Sequence, residues 1–334
     1  MKTRFANHAA LAELPYFRIN EAGNLSLALE LGYSIIDAHT HLALSYGGIA
    51  PADLKAASPR TLHYLPVESA LDLEGYVNSN IDPVALKALR HDLTLRSLTS
   101  GGMRATHTAP NLIREMREMG YGHAVLLPIE LPVLSDNASA YLGAVPDTGE
   151  LIAFGSVHPL WPRAGEILAE QKKRGIRGVK LHPAVQLFAP DGERAMRIYR
   201  LCADLDLPIL IHSGPVGIET GMGRNLTQMN RYEAAVRENP RTTFVLGHAG
   251  ARQPEIALAL AQKYPNVWLE LSGQGIEWVR RILAEAPRDR LVLGSDWPFY
   301  HLVVPLVKLL MATEDDAGLR RAVLRDNAAR LLRL

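Results

Sequence analysis

The sequence predicts an α/β protein: a (β/α)8 TIM barrel with a helical insertion after the first strand. From residue 111 onward, short apolar runs alternate with amphipathic helical patterns, as in the βα units of a parallel sheet. Counting the first strand, eight such units fit the chain, which is the number that closes this barrel. The length of 334 residues, with 48% hydrophobic and 21% charged residues, is compatible with a single barrel domain over residues 1–334.

The first predicted strand covers residues 35–41, with the sequence IIDAHTH. Successive side chains of a strand point to opposite faces, so Asp37, His39 and His41 are expected to share one face. Two imidazoles at this spacing can converge on one cation. Taken alone, the segment also fits a polar strand end whose histidines only form hydrogen bonds.

The insertion is predicted over residues 42–110, where glycine- and proline-containing turn signals interrupt the alternation of strand and helix patterns. The segment is too long for a plain loop, and residues 82–98 have helical spacing. We therefore expect an excursion with its own helices over the active-site face of the barrel.

The later strands are predicted at 124–130, 151–158, 176–182, 207–212, 243–248, 267–272 and 291–296. Helices are predicted at 111–119, 135–141, 163–174, 191–206, 227–238, 253–263, 276–286 and 317–332. An open doubly wound sheet is the structural alternative. It fits less well because no glycine-rich phosphate turn follows the first strand.

Polar side chains end the predicted strands, at the barrel face where catalytic groups collect. These residues are His41, Glu130, His158, Lys180 and His182, His212, His248, Ser272 and Asp296. Buried apolar runs that repeatedly end in ligand-type residues predict a metal centre at this face.

Composition narrows the function classes. The formal net charge is +1, from 36 basic and 35 acidic residues, and no basic stripe favours a nuclease or another nucleic-acid partner. The N-terminus lacks an apolar leader core and no apolar run is long enough to span a membrane, so we expect a cytoplasmic protein without membrane contact. The one cysteine, Cys202, excludes a disulfide framework and is expected to be buried.

The strand-end residues together resemble the amidohydrolase superfamily. The residues that carry the resemblance, over roughly residues 33–334, are Asp37, His39, His41, Lys180, His212, His248 and Asp296. The segments GVKLHP, GHAG and GSDWP are most similar to its amidohydrolase-related branch. That branch includes TIM-barrel metal-dependent hydrolases and non-oxidative decarboxylases similar to aminocarboxymuconate semialdehyde decarboxylase.

The resemblance implies a metal held by His39, His41, His212 and Asp296. Imidazole and carboxylate ligands suit Zn(II), with Mn(II) or Fe(II) also admissible. Asp296 is expected to accept the proton of a metal-activated water as general base and to return it to the leaving group. The alternative role for Asp296 is to cap a helix before Trp297 and Pro298.

Lys180 and His248 decide whether one or two ions bind. In binuclear relatives the strand-six histidine holds a second metal, and in mononuclear relatives it orients water or substrate. A buried, neutral Lys180 amine can take up CO2 and become a carbamate that bridges two metals. An ordinary ammonium that binds a substrate carboxylate is equally compatible with the sequence.

Substrate contacts are expected from His158, His182, Arg224, Arg252 and Trp297. Arg224 or Arg252 can hold a substrate carboxylate by paired hydrogen bonds. The simpler interpretation is that both arginines are solvated loop residues and that His158 is structural.

The leading hypothesis is a metal-dependent hydrolase of a small carboxylic ester, lactone or amide. A non-oxidative decarboxylase of an aromatic or unsaturated carboxylic acid is the second hypothesis, and Lys180 argues mildly against it. A non-catalytic metal-binding barrel is the third. The resemblance also suggests a homodimer.

Overall fold

A computed structural model describes residues 2–47, 51–131 and 134–334. Within them eight parallel strands form the barrel. They are β1 (Ile35–Thr40), β2 (Tyr121–Leu126), β3 (two segments, Leu151–Ala153 and Gly155–Ser156), β4 (Val179–Leu181), β5 (Ile209–His212), β6 (Phe244–Gly247), β7 (Val267–Glu270) and β8 (Leu291–Val292).

Each strand pairs in parallel with its neighbours in sequence, from β1–β2 through β7–β8. The ring closes between the segment after β8 and β1. Ala38 N–H donates to the Leu293 carbonyl (2.9 Å), and Asp296 N–H donates to the His39 carbonyl (2.8 Å). Thr40 and Trp297 form a parallel bridge next to these bonds. The predicted (β/α)8 barrel is confirmed.

Thirteen α-helices are described around and between the strands. They are α1 (Pro83–Leu93), α2 (Ala109–Glu118), α3 (Asn137–Ala144), α4 (Ala164–Lys173), α5 (Pro183–Gln186), α6 (Glu193–Asp204), α7 (Gly221–Leu226), α8 (Tyr232–Glu238), α9 (Pro254–Lys263), α10 (Ile276–Glu285), α11 (Val303–Ala312), α12 (Ala317–Arg321) and α13 (Asn327–Leu332). A π-helical turn, Ala322–Asp326, joins α12 to α13. None of the described helices is long and apolar enough to cross a membrane.

Two apolar layers hold the barrel. The larger layer lies between the strands and the surrounding helices and includes the buried Cys202. The smaller layer fills the interior with alternate strand residues such as Ile36, Val125 and Leu210, together with Ala328 and Leu332 of α13. Arg325, just before α13, donates to the Ser34 carbonyl (2.8 Å) immediately before β1. The C-terminal helix therefore plugs the end of the barrel where the strands begin.

The segment 42–110, described except for residues 48–50, contains a strand, Leu71–Asp72, that pairs with Arg4–Phe5, followed by α1. The Asp82 carboxylate caps α1 by accepting from the N–H groups of Val84 and Ala85, both at 2.8 Å. The helical pattern predicted at 82–98 is α1 plus a separate 3-10 turn, Arg96–Leu98.

Candidate metal centre

The end of β1 brings two imidazoles together. The pairing of β1 with β2 shifts register between Asp37 and Thr40, so alternation does not hold through this stretch. His39 Nε2 lies 3.2 Å from His41 Nε2. Asp37 instead accepts backbone N–H groups of His39 and Ser295 on Oδ1, both at 2.9 Å. The expectation that Asp37 shares the face of the two histidines is therefore not met at the level of contacts.

Asp296 completes a three-residue group with these histidines. Its Oδ1 lies 3.5 Å from His39 Nε2 and 3.4 Å from His41 Nε2. The backbone of Asp296 is left-handed, with φ at 62°, and its N–H is fixed by the His39 carbonyl. The next helix, α11, begins only at Val303, so Asp296 does not serve as the helix cap considered above.

Hydrogen bonds at the Nδ1 atoms of His39 and His41 determine which nitrogen of each ring carries the proton. His39 Nδ1 lies 2.6 Å from Glu270 Oε2, and His41 Nδ1 lies 2.6 Å from the Leu127 carbonyl. Burial lowers the pKa of both imidazoles. A neutral ring that donates from Nδ1 presents a lone pair at Nε2.

Two lone pairs 3.2 Å apart, beside a carboxylate oxygen, repel one another without a cation between them. The separations are also close to the edge of about 3.4 Å expected when ligand bonds of about 2.0–2.1 Å meet tetrahedrally. The donor set therefore fits a divalent metal ion.

His248 and His212 lie beside this group, at the ends of β6 and β5, and the three-residue group itself includes neither. His248 Nε2 lies 3.1 Å from His212 Nδ1, and His248 Nδ1 lies 2.8 Å from Ser272 Oγ. The His248 ring lies 4.8 Å from the His39 ring, centroid to centroid. Burial lowers the pKa of the His212 imidazole to about 3, so this ring is also neutral and able to bind a metal.

Lys180 lies at the centre of the group. The side chain is fully buried, and Nζ is 3.0 Å from His39 Nε2. Burial lowers the pKa of the ammonium to about 8, against the opposing effect of Asp296 and Glu270. About a tenth of the amine is therefore neutral at pH 7, and about half at pH 8.

A cavity of about 830 Å³ opens above these residues. Its wall combines apolar side chains such as Ile129, Val216 and Phe299 with residues of α1, including Lys87 and Arg90. The metal-type side chains lie along the same cavity: His39, His41, Lys180, His212, His248 and Asp296.

A family model described as Amidohydrolase matches residues 36–334. The chain belongs to this family. The match and the barrel together place it in the TIM-barrel branch of the amidohydrolase superfamily, whose members depend on metal ions.

Similar proteins include both reaction types expected above. A 4-sulfomuconolactone hydrolase from Rhizobium radiobacter is 28% identical over 193 residues, which are 49% of this chain and 60% of that protein. The chain thus matches less than two thirds of this relative's length.

Two solved structures show the same fold. An uncharacterized TIM-barrel protein from Bordetella bronchiseptica superposes with a TM-score of 0.63 at 19% identity, covering 90% of this chain and 98% of the other. The 5-carboxyvanillate decarboxylase from Sphingomonas paucimobilis gives 0.61 at 12% identity, covering 90% and 99%. At these identities the likeness is one of fold.

Of the five residues expected to touch substrate, only His182 lines the cavity. His182 lines the cavity and stacks on His212, with centroids 4.0 Å apart. His158 lines a separate depression, with Nε2 2.6 Å from the Gln186 carbonyl and Nδ1 accepting from Leu160 N–H (3.1 Å). Both of its nitrogens are thus occupied by backbone.

Arg224, Arg252 and Trp297 also lie away from the cavity lining. Arg224 is exposed on α7, although Gly223 beside it faces the cavity. Arg252 is exposed, and its guanidinium lies against Gly217. Trp297 is fully buried, and its indole N–H donates to Glu115 Oε2 (2.9 Å). The Trp297 side chain therefore packs in the core next to Asp296 and does not line the cavity.

Sequence reasoning missed Glu270, the last residue of β7. Besides His39 Nδ1, Oε2 accepts from His248 N–H (3.0 Å) and Ser272 Oγ (2.9 Å), and Oε1 accepts from Ser272 N–H. The signal was present, because a charged residue stands in the otherwise apolar run VWLEL. The strand-end pattern points to the final polar residue, here Ser272, and not to the residue two positions earlier that contacts His39.

Proposed function

We propose that this amidohydrolase family member is a metal-dependent hydrolase of a small carboxylic ester, lactone or amide. The observation that carries the proposal is the convergence of two imidazole lone pairs and the Asp296 carboxylate at separations of 3.2–3.5 Å. Zn(II) is the metal that best suits such a set, with Mn(II) or Fe(II) as substitutes.

In this proposal His39, His41, His212 and Asp296 hold the ion, and His248 and Lys180 join if a second ion binds. The metal, when bound, would lower the pKa of a water molecule towards about 7 and polarise the scissile carbonyl. Asp296 accepts the proton of the attacking water and delivers it to the leaving oxygen or nitrogen. Ser272 holds His248 through Nδ1, so the Nε2 edge is aimed at substrate or metal.

A carboxylated Lys180 would support hydrolysis over decarboxylation. A neutral amine attacks CO2 to form a carbamate and releases one proton, which creates an anion able to bridge two ions. Nζ already lies beside His39 Nε2 at 3.0 Å. The similarity to a lactone hydrolase points the same way.

The cavity suggests the kind of substrate. We propose that the insertion, residues 42–110, shapes the pocket, because Leu89 and Leu93 of α1 contribute apolar wall while Lys87 and Arg90 contribute charge. Such a wall suits a compact, partly apolar acid that carries the scissile bond at one end and an anionic group at the other.

Decarboxylation is the second candidate, favoured by the same Lys180 contact read differently. An unmodified ammonium 3.0 Å from His39 Nε2 would repel a second ion and leave a one-metal site. A single ion suits the binding of a substrate carboxylate and an adjacent hydroxyl. Release of CO2 from hydroxybenzoate-type acids would establish this candidate.

The test compares the metal-replete wild type with Asp296→Asn on panels of lactones, esters and amides. We expect wild-type hydrolysis, and a fall in kcat of about 100- to 10,000-fold in the variant, as for loss of a general base. Circular dichroism and the thermal midpoint verify that the variant is folded. A wild type without turnover on any panel, or a variant with unchanged turnover, would refute the proposal. The first outcome would leave decarboxylation, tested by CO2 release, and the non-catalytic barrel.

A further inference from the structure

A second group of metal-type side chains lies on the far side of Trp297 from the cavity. It consists of His63 from the insertion, Glu115 from α2 and His301 from the loop before α11, and one ligand atom from each lies within 4.8 Å of the others. Trp297 donates its indole N–H to Glu115 Oε2 (2.9 Å). The metal centre described above uses none of these three residues.

The separations in this group match coordination distances. His63 Nε2 lies 3.2 Å from a Glu115 carboxylate oxygen, and His301 Nε2 lies 3.7 Å from Glu115 Oε2. A tetrahedral edge with ligand bonds of about 2.0–2.1 Å is about 3.4 Å. The other nitrogen of His63, Nδ1, lies 3.3 Å from the Pro298 carbonyl, which is the backbone bond that commonly fixes a ligand histidine.

A third imidazole, His8, supplies an independent indication of a ligand nearby. The residue is 3% exposed, Nδ1 lies 2.9 Å from the Val67 carbonyl, and Nε2 has no hydrogen-bond partner among the described residues. Its ring centroid is 6.2 Å from that of His301. A buried nitrogen without a partner costs about 1–3 kcal/mol, so a bound group that pairs with it would be stabilising.

A cation can reach the group from solvent. His8, His63, Glu115 and His301 line one cavity of about 530 Å³, separate from the central one. Glu115 contributes a carboxylate, which together with the two imidazoles makes a His, His, Glu donor set of the kind that binds Zn(II).

We propose that His63, Glu115 and His301 bind a divalent transition-metal ion, with Zn(II) as the preferred ion, while His8 lies beside the group and outside its ligand distances. The site is structural, because it ties the insertion and α2 to the loop that follows Asp296. Coordination through His301 Nε2 moves the ring proton to Nδ1, so the bond from Val303 N–H to Nδ1 (3.1 Å) is given up. His301 is accordingly the weakest of the three ligands.

The test uses full-length protein in which the first centre has been disabled by His39→Gln with His41→Gln. After chelator treatment, reloading with Zn(II) and gel filtration, we expect about one ion per chain to remain by mass spectrometry, as for a structural site. Adding His63→Gln and Glu115→Gln should remove it, whereas adding His123→Gln, which deletes a histidine from neither group, should not. Retention of no zinc in the first variant, or equal zinc with and without His63 and Glu115, overturns the proposal.

A second measurement avoids dependence on the folding of those variants. Crystals of the wild type soaked in Zn(II) should give an anomalous peak among His63, Glu115 and His301, distinct from any peak at His39 and His41. If the peak appears only at His39 and His41, the second site is refuted and the proposed hydrolase is not. If the peak appears only at His63, Glu115 and His301, the second site is supported and the proposed hydrolase, which needs the ion at His39 and His41, is refuted.

Discussion

At the scale of single residues, the centre depends on a carboxylate that touches no cavity. Glu270 accepts four hydrogen bonds, and the one from His39 Nδ1 (2.6 Å) sets which His39 nitrogen faces the cluster. Such outer contacts raise ligand basicity and hold ring orientation. Glu270 is therefore a positioning residue whose removal should act through His39.

Glu270→Gln is expected to weaken metal binding by about 10- to 100-fold. The amide replaces one acceptor oxygen with an NH2 group that must face one of the four donors. The metal affinity is measured by titration against a competing chelator, and the exposed Glu277→Gln on α10 is the matched control. Unchanged affinity in the Glu270 variant would show that His39 needs no such partner.

Some of the site residues could be located from the sequence alone, and others could not. The histidines, Lys180 and Asp296 at strand ends could be placed at one rim, because parallel strands of a closed barrel end at a common face. His158, Arg224 and Trp297 could not be placed, because side-chain directions depend on tertiary contacts, such as those of His158 with the Gln186 carbonyl of α5 and of Trp297 with the Glu115 carboxylate of α2. Glu270 was within reach, as a charge inside an apolar strand.

At the scale of elements, α1 brings charge to the cavity. Lys87 and Arg90 lie one turn apart on its cavity-facing side, and a charge-assisted hydrogen bond contributes about 1.5–3 kcal/mol. Both side chains are exposed at the cavity wall and have no hydrogen bond or ion pair with the strand-end residues described, so their action is expected to be on binding and not on the chemical step.

The double variant Lys87→Ala with Arg90→Ala should raise KM for a carboxylate-bearing lactone by about 10-fold or more and leave kcat within about twofold. Steady-state kinetics at two salt concentrations measure the effect, which should shrink in the wild type as salt screens the charges. Lys55→Ala, an exposed lysine of the same insertion, is the control. An equal fall in kcat would mean that α1 affects the reacting atoms.

The helix α11 was not predicted from the sequence, and the reason is physical. Its sequence VVPLVKLLMA is apolar all round, and residues Val303 to Met311 are buried, so no amphipathic period marks it.

Several strands end earlier in the structure than the sequence predicts, because burial alone does not distinguish a strand residue from a buried residue that follows the strand. Predicted runs continued into apolar rim residues such as Leu127 and Leu293, which are buried but already lie beyond β2 and β8.

Lys308 is the one cation inside α11 and gives the protein a pH-dependent stability. Burial lowers its pKa from 10.5 to about 7, and Nζ donates to the Gln274 carbonyl. The unfolded chain keeps the proton up to its higher pKa. This lysine therefore costs no stability above about pH 10.5, and its cost grows as pH falls towards 7.

Lys308→Met should raise the free energy of unfolding at pH 7, by an amount that shrinks as pH rises to 9.5. The gain is reduced by about 1 kcal/mol for the lost hydrogen bond to Gln274. Urea denaturation at both pH values measures the difference, and Lys173→Met, an exposed lysine on α4, is expected to change stability by less than about 0.5 kcal/mol. A Lys308 effect that is the same at both pH values would contradict the assignment.

At the scale of the whole molecule, the two ends of the barrel do different work. The metal-type residues collect where the strands end, while Ala328 and Leu332 of α13 fill the interior where the strands begin. Chain order explains this arrangement, since the last helix returns from β8 across the opening and Arg325 binds the Ser34 carbonyl before β1. Stability and chemistry can therefore be perturbed separately.

Leu332→Ala should lower the free energy of unfolding by about 2–4 kcal/mol, because a side chain only 2% exposed leaves a cavity in the interior layer. Leu334→Ala, the same substitution at a position that is 54% exposed, is the matched control and should change it by less than about 0.5 kcal/mol. Metal content and KM of the folded Leu332 variant should equal those of the wild type, because the strand ends are supported by their own hydrogen bonds. Loss of metal from that variant before unfolding would show instead that the plug at one end holds the geometry of the other.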